Sequence, residues 1–200
     1  MGTKKHVDVN SHTALLIIDM QRAFLEENGG IRVRDGKSII PNILGLMKFI
    51  RKKGGKVIWT RISTDLMPPL YRSMYPHHFA SHRLILARNG EDHNIVDEMD
   101  KYRRPDDLVI DKYTYDAFLF TGLELYLRRH HITRLLFTGV STNVCVESSL
   151  RHAFQLGFET ILVSDCTRSF SRDLQLLSEK VVKLAFGYVV DTTALKEDRS

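Results

Sequence analysis

Short apolar runs punctuate the chain, and each stops abruptly at a glycine or a charged residue. Thr13-Ala14-Leu15-Leu16-Ile17-Ile18 ends at Asp19, Leu108-Val109-Ile110 ends at Asp111-Lys112, and Leu135-Leu136-Phe137-Thr138 ends at Gly139. Runs that are polar only at their ends are the mark of central strands in a parallel sheet, where both faces are covered. The pattern predicts strands over Thr13–Ile18, Lys56–Arg61, Leu108–Ile110, Arg134–Thr138, Thr160–Val163 and Tyr188–Val190. Helices are predicted between them, over Ile39–Lys53, Asp92–Tyr102, Thr121–His130, Asn143–Leu156 and Ser171–Phe186. The first of these carries Pro41 in its opening turn and Gly54-Gly55 beyond its end, the usual asymmetry of helix signals. Residues 62–90 hold prolines, aromatics and histidines without a period, which reads as a functional loop region. Residues 1–12 and 193–200 are polar or charged and read as loose tails. Alternating strand and helix imply right-handed crossovers. The expectation is a single domain over 1–200, an α/β fold with a Rossmann-like three-layer α/β/α sandwich around a parallel six-stranded sheet.

That expectation puts three reactive side chains at one edge. Asp19, Lys112 and Cys145 each come after a predicted strand at its carboxyl end, where open α/β sheets bind ligands. Cys145 also opens a predicted helix, where outward N–H groups and the macrodipole favour an anion and lower a thiol pKa. Alone, Cys145 is equally well a buried packing cysteine, and Asp19 and Lys112 are strand-end caps or a structural pair. Together they form a chemical set, with a thiol nucleophile, a cation to stabilise its thiolate and an acid to carry its proton. Gln21 and Phe24 come after Asp19 at the same edge, and each is a candidate substrate contact or simple loop packing. Arg61 ends the second strand there and is either a carboxylate ligand or a solvated arginine. Asn143 or Thr142 is expected to cap the Cys145 helix. Trp59, inside a strand, and Cys166, with no base beside it, read as core.

These residues resemble the isochorismatase-like cysteine hydrolases, a family that includes nicotinamidases, N-carbamoylsarcosine amidases, ureidoacrylate and biuret hydrolases and isochorismatase. The matching stretches are Asp19-Met20-Gln21 with Phe24, Lys112 with Tyr115 to Phe118, Gly139 to Glu147, Leu150 to Ala153, and Ser164-Asp165-Cys166. The resemblance runs from about Thr13 to Val190 and implies that Asp19, Lys112 and Cys145 are a catalytic triad. It implies a cis peptide between Val140 and Ser141, with backbone N–H groups of Ser141 and Cys145 forming an oxyanion hole. It also supports Tyr115 and Phe118 as pocket walls, where position alone suggests packing. Asp116 departs from the serine many relatives carry before Ala-Phe. Val144-Cys145-Val146-Glu147-Ser148 looks most like the ureidoacrylate and carbamoyl branch. The activity implied is hydrolysis of a C–N bond in a small amide or ureido compound, without an organic cofactor. Vinyl ether hydrolysis of the isochorismatase type is the alternative reading, and a non-catalytic scaffold is another. The retained thiol argues against the first and the intact triad against the second.

Composition narrows the picture. The 200 residues are 43% hydrophobic and 26% charged, ordinary for a globular protein. No apolar run approaches a membrane span, and the first residues lack a signal-peptide core. Two cysteines make no disulfide framework, which points to a reducing, cytoplasmic setting. The formal charge of +5 is scattered in pairs such as Lys4-Lys5, Arg103-Arg104 and Arg128-Arg129, without a nucleic-acid motif. No metal site is expected, because Asp65 is succeeded two residues on by Met67, where nicotinamidases carry histidine, and His77 and His78 lack ligand spacing. The resemblance implies a homo-oligomer, dimer or tetramer, to which Tyr71, Tyr75 and Phe79 offer apolar surface.

Overall fold

A computed structural model of the chain describes residues 7–74 and 86–196, without the side chains of Tyr71, Arg72 and Met74. His77, His78, Tyr75 and Phe79 lie outside the described residues. Six strands form one sheet: β1 (Thr13–Ile18), β2 (Lys56–Ile62), β3 (Leu108–Lys112), β4 (Arg134–Val140), β5 (Glu159–Arg168) and β6 (Tyr188–Val190). Their order is β3-β2-β1-β4-β5-β6, and every pairing is parallel. The α/β fold with a parallel six-stranded sheet is therefore as expected.

Alternation within the strands builds the layers. Leu15 and Ile17 of β1 face one cluster, with Ile43, Leu46, Met47 and Ile50 of helix α1 (Ile40–Lys52). Ala14, Leu16 and Ile18 face the other, with Leu123 and Leu127 of α2 (Leu123–Arg129) and Leu150 and Ala153 of α3 (Glu147–Gln155). A further helix, α4 (Arg172–Val181), continues as a π turn through Phe186. Trp59 and Cys166 are fully buried, as expected of core residues.

Some boundaries differ. The Asp92–Tyr102 helix is instead a 3-10 turn, Glu91–His93, and one short helix, Asp97–Asp100, because its first half is drawn into pairing with the loop after β1 through a Gln21–Ile95 bridge. The strand predicted to stop at Val163 runs on to Arg168, bulging between the Phe137 and Gly139 pairings; the polar Ser164 to Arg168 hides this extension from the hydrophobic pattern. Neither tail is loose where it is described. Val7 and Val9 are buried, and Thr192–Lys196 is a helix that buries Leu195. Within 62–90 the structure adds a 3-10 turn, Thr64–Leu66, and a short helix, Pro69–Met74. Among the described residues no helix is long and apolar enough to cross a membrane.

The chain reverses direction of growth between β1 and β4, which are neighbours although β2 and β3 intervene in sequence. Crossovers leave to opposite sides there, so a crevice opens at the carboxyl ends of these two strands.

Candidate active site

Asp19 and Cys145 come from the two sides of that crevice. Asp19 sits immediately after β1 with φ of +50°, a left-handed turn that swings its side chain back over the sheet. Its backbone N–H is held by Thr60 of β2, and the Thr60 hydroxyl donates to Asp19 Oδ1 at 2.7 Å. Lys112 is the last residue of β3 rather than two past the predicted end at Ile110, and β3 lies beyond β2 from Asp19. Its flexible stem crosses to Asp19, where Nζ donates to Oδ2 at 2.7 Å and to the Thr114 carbonyl at 3.0 Å. Both side chains of this ion pair are completely buried. The Cys145 thiol is close enough for both partners to act on it electrostatically.

Opposite them, β4 ends at Gly139 and Val140. Gly139 has φ of +102°, and a Cβ there would stand 2.0 Å from the Ile18 carbonyl oxygen. Only glycine lets β4 approach β1 this closely. The Val140–Ser141 peptide is cis, as the resemblance implied. The next helix opens with a π turn over Thr142–Val146, placing Cys145 in its wide first turn. Neither Asn143 nor Thr142 caps it. Ser141 is the N-cap, and its side chain makes no capping bond; Thr142 donates to Gln175 at 2.6 Å, and Asn143 accepts from Ser141 at 2.9 Å and from Ser169. The wide turn directs these side chains sideways, onto α4 and the end of β5, so they fasten the helix start to its neighbours instead. Ser149 continues the bracing, donating to the Cys145 carbonyl at 2.8 Å while accepting the Ala117 N–H at 2.9 Å.

Burial reverses one expectation. The helix start was expected to lower the Cys145 thiol pKa. Desolvation instead pushes it well above the ordinary value of 9.0, aided by Asp19, and Lys112 offsets this only in part. Lys112 itself is raised: desolvation works against its ammonium, but Asp19 and Cys145 outweigh it. The resting site is thus an Asp19–Lys112 ion pair beside a neutral thiol.

A cavity of about 260 Å³ opens on Cys145, walled by Phe24, Ile31, Tyr115, Ser141, Val144 and Phe170. Phe24, a candidate substrate contact, and Tyr115, a candidate wall, both lie on this cavity, and burial raises the Tyr115 phenol to about 12. Gln21, Arg61 and Phe118 do not line it. Gln21 is fully buried, its amide spent on the Ile62 and His93 carbonyls and the Ile62 N–H, so it staples the loop after β1 to β2. Arg61 is clamped by Asp111, at 2.7 and 3.0 Å, because alternation on neighbouring strands puts the two side by side. Desolvation works against the Asp111 carboxylate, but His93 and Arg61 hold it below the ordinary range. Phe118 packs on His152 and Phe158 at centroid distances of 5.3 and 6.2 Å. Asp116 accepts the Phe118 N–H and faces His152, so it braces its own turn. Thr60, Ile31 and Phe170 join the site without having been expected there. The register carries the signal for Thr60, since it pairs with Ile18; Ile31 and Phe170 sit in loops with no signal of their own. Among the described residues no group of three or more His, Cys, Asp or Glu side chains is gathered to hold a metal ion.

The chain matches the family model of the isochorismatase domain over residues 13–194. It is 32% identical to the ureidoacrylate amidohydrolase RutB of an Enterobacter species, over 89% of this chain and 85% of that protein. With the RutB of Cronobacter sakazakii the identity is 30%, over 90% and 84%. A cysteine hydrolase of Pseudomonas syringae pv. phaseolicola superposes with a TM-score of 0.85 at 25% identity, covering 94% and 92% of the two chains. The nicotinamidase PncA of Bacillus subtilis shares the fold, with a TM-score of 0.76 at 23% identity and coverage of 90% and 99%.

Proposed function

The chain belongs to the isochorismatase family of hydrolases, and on that premise we propose that it is a cysteine-dependent amidohydrolase that cleaves a C–N bond of a small amide, ureido or carbamoyl compound. The observation that carries this is the fully buried Asp19–Lys112 pair with the Cys145 thiol in reach of both. Charge explains why the thiol needs such neighbours. Ionising Cys145 to bulk would leave two anions against one cation in a buried site. Passing its proton to Asp19 keeps the site neutral, with the Lys112 ammonium now facing the thiolate.

The reaction begins when Asp19 takes the Cys145 proton and the thiolate attacks the substrate carbonyl carbon. The carbonyl electrons move to oxygen, and the N–H groups of Ser141 and Cys145 hold that oxyanion. The tetrahedral adduct collapses, the C–N bond breaks, and the leaving nitrogen takes the proton from Asp19, since an unprotonated amide nitrogen leaves poorly. A thioester (or thiocarbamate, for a ureide) remains. Asp19 removes a proton from water, the hydroxide attacks, and the thiolate leaves and recovers its proton. The likeness of the chain to RutB proteins favours ureido compounds within this class.

Cys145→Ala tests the proposal. Turnover of the best amide or ureide found should fall by several orders of magnitude, and quenched wild-type turnover should show an acyl or carbamoyl mass on Cys145. Near-full activity of Cys145→Ala on the best substrate found would overturn the covalent route, and vinyl ether hydrolysis or another acid-catalysed route, which needs Asp19 but no thiol, would replace it.

A further inference from the structure

The stretch that carries Lys112 is fastened to the nucleophile's helix like a ladder. Cys145, Ser149 and His152 succeed one another at spacings of four and three residues, so they form one stripe along the π turn and α3. Residues 112–118 run beside that stripe. At one end Lys112 acts on the Cys145 thiol. In the middle the Ala117 N–H donates to Ser149 Oγ at 2.9 Å, and Ser149 donates in turn to the Cys145 carbonyl at 2.8 Å. At the far end the Asp116 carboxylate meets the His152 ring.

This last rung reaches back to the ammonium. Asp116 Oδ1 accepts the Phe118 N–H at 2.8 Å, and the Asp116 backbone N–H donates to Thr114 Oγ1 at 3.2 Å. The Thr114 carbonyl is an acceptor of Lys112 Nζ at 3.0 Å. Bonds therefore run from His152 through Asp116 and Thr114 to Lys112. Tyr115, a wall of the Cys145 cavity, lies within the same stretch. A carboxylate offers only acceptors, so His152 Nδ1 donates in this bond. Both side chains are partly shielded from water, where a charge-assisted bond holds well. Neither lines the cavity, so they reach the reaction only through the turn.

Resting on the amidohydrolase reading above, we propose that His152 is a positioning residue: its bond to Asp116 latches residues 112–118 onto the Cys145 helix and so keeps Lys112 and Tyr115 in place against the thiol and the substrate. Opening the latch has two consequences of opposite sign. Misplacing the ammonium and the wall slows the chemistry. Lifting the turn also admits water and reagent to Cys145, whose thiol is held protonated chiefly by burial, so it alkylates more readily.

Two polar replacements of His152 separate the latch from packing, since both lose the ring's contact with Phe118. Asparagine places an amide N–H near the position of Nδ1, and glutamine places one near Nε2. His152→Gln should lower kcat on the best amide or ureide found by about 10- to 100-fold. It should also speed iodoacetamide labelling of Cys145 by about tenfold, with Cys166 still protected. His152→Asn should stay within about threefold of wild type in both measurements. Asp116→Ala removes the bond from its other side and should reproduce His152→Gln, with the double variant no worse than either single change. Wild-type behaviour of His152→Gln, equal losses in the Asn and Gln variants, or labelling of Cys166 together with Cys145, as general unfolding gives, would overturn the proposal. Failure of the amidohydrolase reading looks different: wild-type protein turns over no amide or ureide, yet the labelling rates of the variants keep the stated order.

Discussion

Replacing Lys112 by methionine isolates the energetics of the buried pair. Methionine roughly matches the lysine stem, so the change is chiefly one of charge. Asp19 and Lys112 are both fully shielded and 2.7 Å apart, and with the ammonium gone the Asp19 carboxylate keeps one side-chain donor, the Thr60 hydroxyl. Breaking a buried pair in this way costs about 3–5 kcal/mol, or roughly 6 to 20 °C in Tm for a chain of this size. The double variant, Asp19→Asn with Lys112→Met, buries no charge, and its amide still accepts the Thr60 hydroxyl. It should be less destabilised than the two single changes together by about 2–3 kcal/mol. Urea unfolding of wild type, both single variants and the double variant reads this. Additivity within about 0.5 kcal/mol would refute a coupled buried pair.

The thiol and the missing histidine each give a further test. Because burial raises the Cys145 thiol pKa, the unliganded protein holds a thiol at neutral pH and ionises only above the ordinary value of 9.0; iodoacetamide labelling of Cys145 should therefore still climb by about tenfold per unit at pH 9, and a plateau below about pH 8 would show a preformed thiolate. Met67, standing where nicotinamidases carry histidine, predicts that exhaustive chelation leaves turnover unchanged, and activity lost on chelation and restored by zinc, iron or manganese would refute this.

The edge that carries the candidate site was legible along the chain because each of its marks is local. Apolar runs such as Thr13–Ile18 and Arg134–Thr138 announce covered strands, and the backbone sets the residue at the end of each run: Asp19 turns left-handed, and Gly139 admits the Ile18 carbonyl where no side chain fits. The order of strands then brings Asp19 beside Cys145, since β1 and β4 are the central neighbours of a doubly wound sheet. Side-chain fate was not legible in the same way. Gln21, Arg61 and Phe118 stand at the right edge, but whether a side chain meets substrate depends on what else reaches it. The His93 turn claims Gln21, the adjacent strand claims Arg61 through Asp111, and α3 claims Phe118 through His152. Each partner is about 30 to 70 residues away in sequence, where no period or spacing points to it. The thiol's protonation was likewise decided in three dimensions. A helix start favours an anion by a local dipole, but the penalty of burial depends on every layer packed around Cys145, and here it outweighs the pull of Lys112.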